Sequence, residues 1–307
     1  VKLPCPTIRA ATGIVATLTA AALVLLLLPD NRKPAPPEET ETETDLLATI
    51  QQFARYMSAD SGYTVPSLTE RRSVGDGVRR TLDGKPGEAT DVLAAAGYAI
   101  SKQVDTGTRR AFYEIYDAMP QQRGWGRVLI DTSTVHLGIE IPHPKADIDS
   151  ESLGVALFRA VPGSVLVIAG AHRRAAPEGR ADMAHTTDSV FEAVHEALVA
   201  QRIPVMQLHG FDNETAPDSD VVVSAGPKLR SDYVERVAKQ LESAGLSVCR
   251  PWEGRCSGLA ATTNVQAQWS DTHDDDFAHV EVSRDNRDSA DGRDRVVAAL
   301  AKEATER

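Results

Sequence analysis

From Gly138 onward the sequence alternates between short apolar runs and longer stretches of helical period, and this alternation restricts the fold more than any other feature of the chain. Strands are expected at residues 138–142, 164–169, 205–209, 221–224, 247–250 and 277–283. Helices are expected at 150–160, 188–200, 229–244 and 289–303, with start chemistry at Asp188 and a stop at Ala244-Gly245. Elements taken in this order pack as layers. The expected fold class is α/β, a layered, mixed and largely parallel sheet flanked by helices.

The stretch before Gly138 has another texture. Leu46, Leu47, Ile50, Phe53, Ala54 and Met57 fall at helical spacing, and residues 68–96 read as helical with a break at Asp83-Gly84-Lys85-Pro86. Runs at 98–104 and 110–115 flank Asp105-Thr106-Gly107-Thr108 as in a hairpin, and 126–131 is one more strand. Residues 46–135 are therefore expected to form a small α+β accessory region without chemistry of its own, ahead of a hydrolase-type α/β domain at 136–307. Residues 31–45 are Pro-rich and then acidic, the composition of an extended tether.

No charge occurs from Ala10 to Leu28, and the run ends in four leucines. Residues 1–30 thus read as a membrane anchor or signal segment. No small-x-small cleavage site follows Leu28, which favours an uncleaved span with the remainder outside the cytoplasm; cleavage would make the protein secreted. Cys249 and Cys256 sit seven apart. In an oxidising exterior a disulfide there would contribute about 2 kcal/mol; the other reading is two unpaired thiols in a loop.

With 44 acidic against 33 basic residues and a net charge of −11, the chain has no cationic surplus to neutralise phosphates, so a nucleic-acid partner is not expected. The absence of a phosphate-binding loop and of G-x-G-x-x-G argues against a nucleotide, and G-x-S-x-G is absent too. The chemistry-bearing residues gather at the carboxyl ends of the expected strands, where open α/β sheets bind ligands. His143 follows one strand, with Asp147 four positions on; His172 follows the next; His209 closes another, and Glu281 lies in the last. Two imidazoles and a carboxylate are the usual protein ligands of a catalytic zinc that keeps one position open, and a further carboxylate, Glu281, would be the general base. Taken singly, each histidine reads more readily as a satisfied core or surface residue; it is the set at the strand ends that points to a metal. His195-Glu196 begins like the helical zinc motif but lacks its second histidine, so His195 is expected on a helix surface. His279 shares a strand face with Glu281, and His273 lies in an acidic loop.

Five stretches in this order resemble the zinc-dependent carboxypeptidase-like superfamily, in particular its poly-γ-glutamate hydrolase and N-formylglutamate amidohydrolase branch. They are Ile141-Pro142-His143 with Ser150-Glu151-Ser152-Leu153, Ala169-Gly170-Ala171-His172, Gln207-Leu208-His209-Gly210-Phe211, residues 221–246, and Val280-Glu281-Val282-Ser283-Arg284. Together they span about residues 138–300. The resemblance implies one zinc per chain held by His143, Asp147 and His209, with Glu281 as the catalytic carboxylate. It departs at the second ligand, where the family commonly has glutamate; Asp149 and Glu151 compete with Asp147 for that place. Arg284 is placed to pair with a substrate carboxylate or to close a salt bridge within the fold. His172, Arg173, Asp182 and His185 are expected to wall the cleft or touch substrate. The resemblance implies an amidohydrolase or peptidase acting on a glutamate-like or cell-wall peptide amide; the competing reading is a catalytically silent domain that binds wall material or a partner protein.

Overall fold

In chain order the elements are β1 (Thr42–Thr44), α1 (Leu46–Arg55), α2 (Leu68–Leu82), α3 (Pro86–Ala95), β2 (Tyr98–Asp105), β3 (Ala111–Asp117), α4 (Pro120–Arg123), β4 (Arg127–Asp131), β5 (Leu137–Ile141), α5 (Ser150–Ala160), β6 (Ser164–Ile168), α6 (Val190–Ala200), β7 (Val205–Phe211), β8 (Val221–Ser224), α7 (Asp232–Ser243), β9 (Val248–Cys249), α8 (Val265–Thr272), β10 (Phe277–Ser283), α9 (Arg284–Asp288) and α10 (Ala290–Thr305). The structure is a computed structural model that describes Val1 and residues 42–306. The uncharged run at 10–28 lies outside the described residues, among which no helix is long and apolar enough to cross a membrane.

The strands form one sheet in the order β1-β2-β3-β4-β6-β5-β7-β10-β8-β9. Its centre, β6-β5-β7-β10, is parallel, and β8 runs antiparallel to β10. Every residue of β5, β6, β8 and β10 is buried, as expected for strands covered on both faces, and the polar Glu140, His279, Glu281 and Ser283 are buried with the apolar ones. One face is covered by α1, α5, α7 and α10 through Leu46, Leu157, Tyr233 and Leu300. The other is covered by α2, α3 and α6 through Val74, Leu93 and Val194.

Two features differ from the sequence expectation. The sheet crosses the boundary drawn at residue 135: β2, β3 and β4 form an antiparallel meander, and β4 pairs antiparallel with β6. The front hairpin thereby supplies backbone partners to β6, whose edge would otherwise be open. The end of the acidic tether also forms an element, since Thr42–Thr44 pair in parallel with Gln103–Asp105 at the sheet margin.

The location of the cleft follows from strand order. β5 lies between β6, which follows it in the chain, and β7, so the connections through α5 and α6 leave in opposite senses. Such a reversal opens a crevice beyond the carboxyl ends of the strands. His143 stands at the exit of β5, beside that opening.

Candidate metal centre

Local backbone geometry turns Asp147 onto His143. The segment after β5 is a tight turn in which the Asp147 amide donates to the His143 carbonyl at 3.0 Å and the Ser150 amide to the Asp147 carbonyl at 2.9 Å. Lys145 and Asp149 take positive φ to close it. His209 lies in β7 directly opposite Glu281 of the parallel neighbour β10. The two-residue period then puts Gln207 beside His209 and His279 beside Glu281.

The Asp147 Oδ2 atom lies 3.2 Å from His143 Nδ1 and 3.3 Å from His209 Nδ1, and the two rings meet edge to face at 4.8 Å. Donors bound to one tetrahedral zinc at about 2.0–2.1 Å are themselves about 3.3 Å apart. That spacing is compatible with a zinc ion held by the three residues, whose ligand atoms all lie within 4.8 Å of one another. Asp149 instead faces Arg284 at 3.8 Å, and Glu151 accepts the Lys145 amide at 3.4 Å; neither approaches the histidines as Asp147 does.

Protonation supports the fit. His209 Nε2 faces Gln207 Oε1 at 2.8 Å. That oxygen only accepts, so a hydrogen bond to it places the proton on Nε2 and turns Nδ1 as an acceptor towards Asp147 Oδ2, which at 3.3 Å competes for the same proton in the metal-free chain. Burial pushes the His209 imidazole down to about 4 despite the Asp147 charge. Around His143, burial disfavours the charged ring, but Asp147 and Asp182 (2.8 Å from Nε2) outweigh it and raise its pKa. Burial works against the Asp147 and Asp182 carboxylates too, yet their histidine partners hold both well below the usual carboxylate range. In the metal-free chain a proton on His143 thus occupies a place suited to a metal.

Glu281 is buried on the cavity side of this cluster, and its carboxylate lies within 4.8 Å of the His209 and His279 nitrogens. Its Oε2 and His279 Nδ1 have no hydrogen-bond partner among the described residues. Burial, reinforced by Asp147, pushes the Glu281 carboxyl up to about 8; burial also holds His279 well below its ordinary value. A cation bound by Asp147 would bring the Glu281 value down again.

Two openings reach the cluster. A cavity of about 210 Å³ is lined by His143, His185, His209, His279, Glu281 and the 258–264 loop. A wider one of about 420 Å³ lies on the Asp147 side and carries His172, Arg173, Arg174, Arg284 and Arg287. Arg173 and Leu259 line both. Arg173 is tied to Asp182 through Nε at 3.1 Å, and His185 bridges Asp182 (3.1 Å) and Thr263 (3.2 Å). His172 accepts the Arg174 amide at 3.1 Å, and Arg284 pairs with Asp288 at 2.8 Å. Cys249 and Cys256 are bonded to each other, at the start of the segment that forms the cavity wall.

The sequence reading placed His195 on a helix surface; the structure corrects this. The residue is fully buried and paired with Glu140 at 2.8 Å, because α6 packs between α2 and α8 and has little exposed face. Arg287, also overlooked, is buried and donates to the carbonyls of Ile148, Phe211 and Val282, joining the loops after β5 and β7 to the end of β10. A Cβ at Gly210 would lie 2.2 Å from its guanidinium, so the glycine after His209 makes room for that clamp.

No family model matches the chain, and no curated protein matches it. Similar solved structures include a metallo-carboxypeptidase from Burkholderia cenocepacia, 13% identical over 71% of this chain and 69% of its own, with a TM-score of 0.40. A bacteriophage poly-gamma-glutamate hydrolase is 12% identical over 57% of this chain and 87% of its own, at 0.35. An aspartoacylase family protein from Mesorhizobium loti is 13% identical over 66% and 67%, at 0.36.

Proposed function

We propose that this chain is a zinc-dependent hydrolase of amide bonds, with His143, Asp147 and His209 as the metal ligands and Glu281 as general base and acid. The observation that carries the reading is one carboxylate oxygen placed 3.2 and 3.3 Å from two imidazole nitrogens, beside a buried glutamate with an unpartnered oxygen. Bound there, zinc supplies a Lewis acid that polarises an amide carbonyl and brings the pKa of water towards about 7. Glu281 takes the proton of the attacking water and returns it to the leaving nitrogen. Its low-dielectric surroundings keep it a base strong enough for the first transfer. Asp182 fixes the His143 ring through Nε2, so that Nδ1 faces Asp147.

The wider opening supports an acidic substrate. In a chain of net charge −11 it gathers four arginines, and Arg284 has its Nη1 without a hydrogen-bond partner. A glutamate-like amide or a cell-wall peptide bearing a carboxylate matches that chemistry. The apolar run at 10–28 and the Cys249–Cys256 bridge support a location outside the cytoplasm on an N-terminal anchor. The test is hydrolysis of γ-glutamyl and wall-peptide amides by the zinc-loaded protein. Turnover should vanish on chelation and return with zinc; a chain that binds these compounds without cleaving them is a binding domain instead.

A further inference from the structure

Behind the metal centre lies a second polar assembly that the proposed reaction does not use. Glu140 and His195 form a fully buried ion pair at 2.8 Å. Burial opposes the His195 charge, and Glu140 outweighs that cost, raising its pKa. Buried pairs of this kind seldom add stability over apolar packing, so another role is to be sought in what they touch. The second Glu140 oxygen accepts from Gln207 Nε2 at 2.9 Å, and Gln207 Nε2 also reaches Gln266 Oε1 at 3.1 Å. Gln266 is oriented by its donation to the Met183 carbonyl at 2.9 Å. On the other side, Gln207 Oε1 accepts from Asn264 Nδ2 at 2.6 Å and faces His209 Nε2 at 2.8 Å. Asn264 is oriented in turn because its Oδ1 accepts the Ala267 amide at 2.9 Å. Both ends of the network are anchored on backbone groups, so the Gln207 amide has one orientation and cannot flip.

We propose that Gln207 is a positioning residue: held by Glu140–His195, Gln266 and Asn264, it fixes the proton of His209 on Nε2 and so presents Nδ1 to the metal. In water the neutral ring exchanges between tautomers, and the wrong one would turn an N–H towards the ion. The alternation of β7 aligns Gln207 with His209, and Asn264 extends the network to the cavity wall. This inference rests on the metal-centre reading only for its consequence; the tautomer itself is a property of the metal-free chain.

The experiment measures the imidazole ¹⁵N shifts of His209 in metal-free protein at neutral pH, together with Co²⁺ affinity, for the parent chain, Gln207→Leu and Gln207→Glu. The parent should show the Nε2–H tautomer. Gln207→Leu should show a mixture and bind Co²⁺ about 10- to 100-fold more weakly, and Gln207→Glu, which keeps the acceptor towards His209 but sets a second carboxylate against Glu140 in place of the donor, should retain the Nε2–H tautomer. Nδ1–H in the parent overturns the inference without any variant. So does a folded Gln207→Leu protein with unchanged tautomer and affinity. A parent chain with the Nε2–H tautomer that binds no metal sinks the proposed function and leaves the positioning role of Gln207 standing.

Discussion

The two halves of the sheet bury charge in opposite ways. In the front half each buried carboxylate lies against an arginine: Asp105 with Arg159 at 2.7 Å, Glu114 with Arg127 at 2.6 Å, Asp131 with Arg110 at 3.2 Å, and Asp117 with Arg123. Around β5, β7 and β10, Glu140 has a closed pair with His195, but Asp147 is set against two imidazoles, and among the described residues the nearest basic side chain to Glu281 is His279 at 3.8 Å, whose ring burial keeps neutral. Closed pairs hold a fold together but have no valence left for a ligand. At the metal centre the Asp147 carboxylate is held instead by imidazoles, one of them drawn into its protonated form, and a bound ion can take the place of that proton. Buried charge alone does not mark a site; what marks it is buried charge whose partners are missing or of like kind.

This contrast can be broken most forcefully at Glu281. Glu281→Gln should lower turnover by about 10²- to 10⁴-fold with metal content unchanged, because the residue moves a proton and does not hold the ion. Parallel measurement of kcat and bound zinc decides it, and surviving turnover removes Glu281 from the mechanism. On the other side, Glu114→Leu should destabilise the fold by about 3–5 kcal/mol by leaving Arg127 buried and unpaired. Denaturant unfolding measures that loss, and zinc affinity should stay as it was; a loss of zinc affinity would tie the two halves functionally.

Smaller effects sharpen the comparison. Arg284→Ala should raise KM about 10- to 100-fold for a carboxylate-bearing amide, with kcat little changed, since it removes one charge-assisted contact. Equal KM values for acidic and neutral substrates in the parent would take Arg284 out of recognition. The pH dependence of metal binding is the mildest test. His143 must lose its proton to ligate, and its neighbours raise its pKa above the ordinary value of 6.5. Zinc affinity should therefore climb about tenfold per pH unit while His143 is protonated, and level off once it is neutral. Affinity that falls with rising pH through neutrality would contradict that assignment.

Much of this was legible in the sequence, and the remainder has physical reasons for being hidden. β8 and β10 and helix α5 match the expected residues 221–224, 277–283 and 150–160, because these elements are buried and their apolar residues leave a strong local signal. His143, Asp147 and His209 lie together, as do His209, His279 and Glu281. Helix α8 was not foreseen: two of its three buried residues, Gln266 and Ser270, are polar, so it lacks an apolar stripe, and Asn264 as N-cap was its main local mark. β1 is a Thr-Glu-Thr run that pairs through its backbone, which side-chain pattern cannot reveal. The pairing of β4 with β6 joins segments far apart in the chain, and no local period encodes it. The Glu140–His195–Gln207 network was hidden for a related reason, since its members come from β5, α6 and β7 and meet only once the sheet has formed.

The central claim is that Asp147, His143 and His209 form one metal site, and metal content tests it most directly. The purified protein, supplied with zinc and then freed of excess, should hold close to one ion per chain. His143→Ala and Asp147→Ala should each lose it, and Glu151→Ala should keep it. A parent chain that takes up no metal, or an Asp147→Ala variant that binds as well as the parent, would contradict the account.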